Sequence, residues 1–388
     1  MAPFLLCYNT FMQYITPDYY SEFHCIGGAC PLTCCAGWQI VIDEETLSLY
    51  EQAPGPLGDY IRKQVDWQNG TFYHTQGRCN CLREDGLCQI YKECQSEDYW
   101  SDTCRSYPRH TEEFEGVREI SLGLSCPEAA RIILSKKEPV TFLLTEDAEE
   151  EFYEDFDYLL YSQLIEARKI LLSMAQHRSS SMATRCAWIL RFGAQLQAAI
   201  DTNQLFFMDD IMETFTRGLD AMDWALFSAE NTLPFPEVPL PDFYARCQSY
   251  EAILSQMEPL FPEYVTRGKT LFASLTALDR NAFFHSCNTF QEAFAQSLPD
   301  IEILFEQILV YFLFVYVCGA VYDDSLISKV RMAVLATESI FLLSMAAFFA
   351  NGQSLSHETI LRITVHFCRE LEHSDENLDL VESYLDAD

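Results

Sequence analysis

The chain is 388 residues long, 49% of them apolar, and carries a net charge of −33. That length suits about two domains and a full apolar core. The charge repels a phosphate backbone, which excludes nucleic acid as a natural partner; it keeps the chain soluble and attracts cationic protein segments that present lysines.

The start, MAPFLLCYNTFMQY, lacks a basic n-region, has only a short apolar patch at Pro3–Cys7 and offers no small-residue cleavage site. No secretory signal is therefore expected. Beyond it the cysteines dominate. Ten of the sixteen lie between Cys25 and Cys126, first as C-x4-C-x3-CC (Cys25, Cys30, Cys34, Cys35), then as Cys79, Cys81, Cys88, Cys94, Cys104 and Cys126. A disulfide scaffold suits small secreted chains, so this density in a long chain points to a metal. His24 is the only histidine beside the first burst, and an all-sulfur coordination sphere is expected. Such a sphere suits tetrahedral zinc or an iron–sulfur cluster, and spacing does not separate the two. The isolated Cys186, Cys247, Cys287, Cys318 and Cys368 read as small core hydrophobes.

Along the chain, Gln39–Ile42 reads as a brief strand. Asp43 reads as the N-cap of a helix through Leu47 and Tyr50, with a second short helix from Leu57 to Val65. Between Asn69 and Arg118 irregular loops are expected, which a metal would cross-link. Ser125 with Glu128 three residues later forms a capping-box pattern, and Pro127 suits a first turn. Cys126 would then sit where the helix dipole favours a thiolate. From about residue 136 the pattern turns helical. Eight carboxylates lie in Glu146–Asp157 and read as a solvated helix start. Phe156, Leu160, Leu164, Ala167, Ile170, Leu171 and Met174 then recur at spacings of three and four. Further helices are predicted around 184–200, 206–227, 243–257, 281–296, 301–321, 326–350 and 355–370. Leu233–Pro241, with four prolines, should be an extended connector. Ile308–Tyr322 is short for a bilayer span and Met332–Ala350 carries Glu338 near its middle, so both read as buried core helices.

The fold expected is mainly α: a small, loop-rich, metal-stapled cysteine-cluster domain over 1–135, then a larger all-helical domain over 136–388. The protein reads as soluble and cytoplasmic, with no membrane span. No G-x-S-x-G, H-E-x-x-H or G-x-G occurs, so no dinucleotide fingerprint is present. Gly268-Lys269-Thr270 imitates the end of a P-loop, but Glu263 occupies the place of the first glycine. The C-x3-C of Cys30 and Cys34 resembles the C-x3-C-x2-C of radical enzymes, but Gly37 stands at the third cysteine position.

Four ordered blocks resemble the flagellin lysine-N-methylase (FliB) family. They are F-x-C-x4-C-x3-CC-x-GW-x-V/I-x-ID from Phe23 to Asp43, then C-x2-L-x3-G-L-C-x-I from Cys79 to Ile90. Next come T-C-x2-Y-P-R from Thr103 to Arg109 and S-L-x-L-S-C-P-E-A-A-R from Ser121 to Arg131. The middle two also resemble zinc- or iron-chelating cysteine-cluster domains, and the helical remainder is similar to the family only in general character. The resemblance implies a methyltransferase acting on flagellin lysines, with S-adenosylmethionine as donor and an iron–sulfur cluster, 4Fe-4S in type, with zinc as the alternative. By the same resemblance the ligands are drawn from Cys25, Cys30, Cys34, Cys35, Cys79, Cys88, Cys104 and Cys126, while Cys81 and Cys94 fall outside the pattern. Arg105 and Arg109, flanking Cys104 and Tyr107, are candidates to pair with a donor carboxylate or offset a cluster's charge. No catalytic base stands out among 58 acids and 20 tyrosines. The rival reading is a non-enzymatic metal-binding or redox protein whose acidic helical domain docks a basic partner.

Overall fold

The structure is a computed structural model and describes residues 12–94, 97–148, 151, 153, 155–221, 234, 235, 241–297 and 300–387. Most of the proline-rich connector at Leu233–Pro241 lies outside them. The architecture is mainly α, as the periodicity predicts.

The first third is irregular. It holds strand β1 (Met12–Pro17), helices α1 (Glu44–Gln52) and α2 (Gly55–Arg62), and two-residue strands β2 (Val65–Asp66), β3 (Thr71–Phe72), β4 (His74–Thr75) and β5 (Arg78–Cys79). Helices α3 (Gln89–Glu93) and α4 (Asp102–Ser106) follow, then strands β6 (Arg109–Phe114) and β7 (Val117–Leu122) and helix α5 (Pro127–Ser135). Asp43 caps α1 as expected, its carboxylate accepting from Thr46 N at 2.8 Å. The strand expected at Gln39–Ile42 shrinks to a single bridge, Val41 to Thr71.

Sequence reasoning missed the sheet. Strand β8 (Phe142–Asp147) completes four strands in the order β6-β7-β1-β8, with β1 parallel to β7 and antiparallel to β8. Arg109–Phe114 is mostly exposed and Val117–Leu122 buries a charged residue, so neither shows a clean apolar alternation. Glu119 on β7, 2% exposed, pairs with buried Arg168.

The helical part comprises α6 (Tyr158–Ala175), α7 (Met182–Asp201), α8 (Phe207–Ala221), α9 (Phe243–Leu254), α10 (Pro262–Thr276), α11 (Arg280–Ser297), α12 (Ile301–Tyr316), α13 (Leu326–Ala350), α14 (His357–Glu372) and α15 (Asp375–Ala387). Helix α13 is central and packs on α7, α9 to α12, α14 and α15. The two apolar stretches lie in segments long and apolar enough to cross a membrane, the first longer than expected, but 83% and 89% of their most apolar windows are buried inside this fold, as in core helices.

Several charges inside this core are paired. Glu338 on α13 accepts from Arg246 Nε at 2.8 Å and from Tyr250 Oη at 2.7 Å. Glu306 on α12 is fully buried and meets Arg185 Nη1 at 2.9 Å and Arg178 Nη2 at 2.8 Å. Buried residues fall into two clusters. The larger joins β1, the β6–β7 strands and α5 to the helices; the smaller holds Ile40, Ile42, Tyr50, Ile61, Val65, Phe72, Cys79, Cys81 and Ile90.

Removing one partner of such a buried pair strands the other charge. Glu306→Ala should therefore cost about 3–5 kcal/mol, read as a lower denaturant midpoint at unchanged slope. A loss below about 1 kcal/mol, the size of an exposed pair, would show that Arg185 and Arg178 find other partners.

Candidate functional site

The cysteines gather in two groups. Cys30 and Cys34 lie in the loop before α1, and Cys126 is the N-cap of α5. Their thiols act on one another electrostatically, and that of Cys25 reaches Cys30. Burial pushes the Cys126 thiol up to about 11, against the pull of the Ala129 and Glu128 backbone N–H groups. Ser125 is not the cap of α5. Its hydroxyl accepts from Tyr107 Oη at 3.3 Å, and Glu128 pairs with Arg131 instead of closing a capping box.

The second group is Cys79, Cys81 and Cys88. Cys81 shares side-chain hydrogen bonds with both neighbours, which hold its own thiol far above the ordinary range. The same bonding holds Cys79 down and brings Cys88 to about 7. Cys94 packs against the smaller core beside them. Cys81, which falls outside the resemblance pattern, is thus the central thiol of its group. Cys104, an exposed residue of α4, lies within electrostatic reach of Cys34, Cys79 and Cys88 and links the groups. Cys35 packs against the smaller core, while its side chain hydrogen-bonds Cys34. Among the described residues no group of three or more His, Cys, Asp or Glu side chains is disposed to hold a metal ion as it stands. The donor chemistry is nevertheless thiol throughout.

Gly37, at the position of a missing third cysteine, has φ +89°, and a Cβ there would lie 1.8 Å from Cζ of Phe261. The Phe261 ring, just before α10, fills the space a side chain would take, so the radical-enzyme pattern fails on sterics.

Arg105 pairs with Asp102 at 3.1 Å and donates to Trp100 O at 2.8 Å; Arg109 lies over the Phe23 ring at 5.4 Å. The guanidinium brought to the cysteine loops is a different one, that of Arg369 on α14. It is 1% exposed and donates to the carbonyls of Leu32 and Ser125, each at 2.9 Å, and of Thr33 at 3.2 Å. One sequence signal could have found it: Arg369 follows Leu361 and Val365 at a spacing of four, on the buried face of the helix.

Two more residues at the end of α14 escaped sequence reasoning. Glu372 Oε1 accepts from Tyr311 Oη at 2.6 Å and Tyr316 Oη at 3.0 Å, and buried Oε2 has no hydrogen-bond partner. Burial raises its carboxyl above the usual range. The same carboxylate acts electrostatically on His110 of β6. His373 packs at a tilt against Trp38, ring centroids 4.4 Å apart, and meets Tyr107 edge-on at 5.6 Å. Both its ring nitrogens are buried without partners.

Fold and site define a helical protein in which thiol-rich loops dock on the C-terminal end of one helix, where buried Arg369 is followed by Glu372 and His373. The sequence model of the FliB lysine N-methylase C-terminal domain matches residues 168–388, the helical part that by sequence reading resembled the family only in general character. The chain belongs to the FliB lysine N-methylase family. It is 28% identical over 196 residues to a lysine-N-methylase of Salmonella typhimurium, covering 48% of each chain, and equally similar to that of Salmonella choleraesuis. It is 30% identical over 128 residues to the flagellar biosynthetic protein FliU of Salmonella muenchen, covering 31% of this chain and 75% of that protein. The chain thus spans about half the length of the curated lysine-N-methylases it matches. No solved structure matches.

Burial, then the charge of Arg369, holds His373 down to about 3 and His366 down to about 4. An unfolded histidine titrates near about 6.5, so the unfolded chain binds protons first as pH falls. The stability contributed by these neutral rings is complete above about pH 6.5 and is lost progressively toward 4 for His366 and 3 for His373. Denaturant midpoints should fall through that window, and His373→Phe should flatten the fall. An equally steep fall in that variant would assign it to other groups.

Proposed function

We propose that the protein transfers methyl groups from S-adenosylmethionine to lysine side chains of a protein substrate, with flagellin as that substrate, in the cytoplasm where thiols stay reduced. The family match over 168–388 carries this reading, because that stretch holds α14 and Glu372. The names of the relatives, lysine-N-methylase and flagellar biosynthetic protein, support the reaction and the substrate class.

The chemistry is a displacement. The lysine nitrogen attacks the sulfonium methyl in line, the methyl–sulfur bond breaks, and the donor leaves as a thioether. The ammonium must first lose a proton. Glu372 suits that step, since burial makes its carboxylate a stronger base than an exposed one. Tyr311 and Tyr316 fix Oε1, and Oε2 is left to accept the proton and pass it on to water. The net charge of −33 favours approach of a cationic segment.

Cys25, Cys30, Cys34, Cys35, Cys79, Cys88, Cys104 and Cys126 are the proposed thiol donors for an iron–sulfur cluster or zinc, with Cys81 added on its central position. Bound, that group would cross-link the loops and, if an iron keeps an open position, hold the amino and carboxylate groups of the methyl donor.

With S-adenosylmethionine and flagellin, the protein should add mass in steps of about 14 Da per methyl group on lysine, more slowly as salt rises. Glu372→Gln should lower kcat by about 10²- to 10⁴-fold with little change in KM for flagellin. No mass gain on flagellin or on a panel of lysine-rich proteins would overturn the reading.

A further inference from the structure

The four-stranded sheet ends on β8, which pairs with β1 on one side and with no strand among the described residues on the other. The register fixes which of its backbone groups face outward. Gln13 N–H bonds to Gly116 O toward β7, so Tyr14 and Thr16 turn their groups toward β8; further along the same pair, Asp18 N–H bonds to Thr141 O. The bonded partners on β8 are then Leu143 and Thr145. That leaves the N–H and C=O groups of Phe142, Leu144 and Glu146 pointing away from the sheet. The opposite edge is partly closed, since Tyr322 Oη donates to Glu113 O on β6 at 2.6 Å.

An open edge is a template for another strand, and proteins usually blunt it with a bulge, a proline, lysines or a covering segment. Among the described residues none of these guards β8, and adjacent Leu143 and Leu144, on its two faces, are 53% and 55% exposed. The charges it carries are acidic. Glu146 and Asp147 end the strand and open the run of eight carboxylates that reaches Asp157. Such an edge repels a second copy of this chain, itself at −33, and attracts a strand that bears lysines. We propose that the outer edge of β8 docks an extended, lysine-bearing segment of the protein substrate as an added strand. The backbone of Phe142, Leu144 and Glu146 supplies the hydrogen bonds, the two leucines meet apolar side chains, and the carboxylates meet the lysines. This rests on the reading of the protein as a lysine methylase. The edge lies apart from the reacting centre: Glu372 acts on His110 of β6, three strand spacings or about 14 Å across the sheet. Docking at β8 therefore tethers the substrate and raises the local concentration of its other lysines.

Flagellin is the probe, and the full chain is compared as wild type, Leu144→Pro and Leu144→Thr. Proline removes only an outward N–H, so β8 keeps its ladder with β1; threonine keeps the N–H and suits a strand. Leu144→Pro should raise KM for flagellin by about 10-fold at unchanged kcat, and Leu144→Thr should stay near wild type. An unchanged KM in Leu144→Pro, or an equal rise in Leu144→Thr, would overturn strand addition. Hydrogen exchange in the wild type decides the matter if the proline variant fails to fold. Flagellin should slow exchange at the amides of Phe142, Leu144 and Glu146, and no slowing would overturn the proposal. Slowing that follows the concentration of the chain alone would assign the edge to a second copy and overturn it too. Slowing by flagellin without methylation would defeat the methylase reading and leave the docking site standing; methylation without slowing would do the reverse.

Discussion

The guanidinium of Arg369 is where the cysteine loops are tied to α14. Three hydrogen bonds tie it to backbone carbonyls just before Cys34 and Cys126, and its helix is packed on α5, α13 and α15. A cation this deep cannot shed its charge, since arginine stays protonated, so the loops around it must remain folded onto it. That constraint orders its surroundings. The charge of Arg369 adds to the burial that holds His366 and His373 below the usual range, and a turn further on Glu372 accepts from Tyr311 and Tyr316.

Elsewhere in the helical core several internal charges are matched. Glu119 with Arg168, Glu306 with Arg185 and Arg178, and Glu338 with Arg246 each place an acid from one element against a base from another. Such pairs add little net stability over apolar packing, but breaking any one is expensive, so they favour a single register of the helices. A protein with so many acids and few bases spends several of its arginines here. The remaining excess of carboxylates gives the surface its negative field.

Much of the helical architecture was legible in the sequence. The stretch at 326–350 is a helix over those same residues, and α6, α7, α9, α11 and α14 lie within a few residues of the periodic patterns. Helix α10 went unread because Pro262 opens it and its apolar positions are sparse, and α15 because its carboxylates hide a short apolar stripe at Leu378, Val381 and Leu385. The β1–β8 pairing joins segments more than a hundred residues apart, which no local pattern encodes. At the site, cysteine density pointed to the right loops. It gave no hint that Cys81 would be central or that the cation would come from α14 in place of Arg105 or Arg109. Those facts depend on tertiary packing, and residues isolated in sequence acquire their chemistry only when α14 is laid across the loops.

The central claim is that the cysteine loops and the end of α14 form one cooperative unit. Native-state hydrogen exchange across a denaturant series tests it most directly, because segments of one unit open together. The account predicts that peptides spanning residues 26–37 and 361–373 reach the same opening free energy and converge at the same denaturant concentration. Opening of 26–37 at low denaturant, while 361–373 stays protected up to global unfolding, would contradict it.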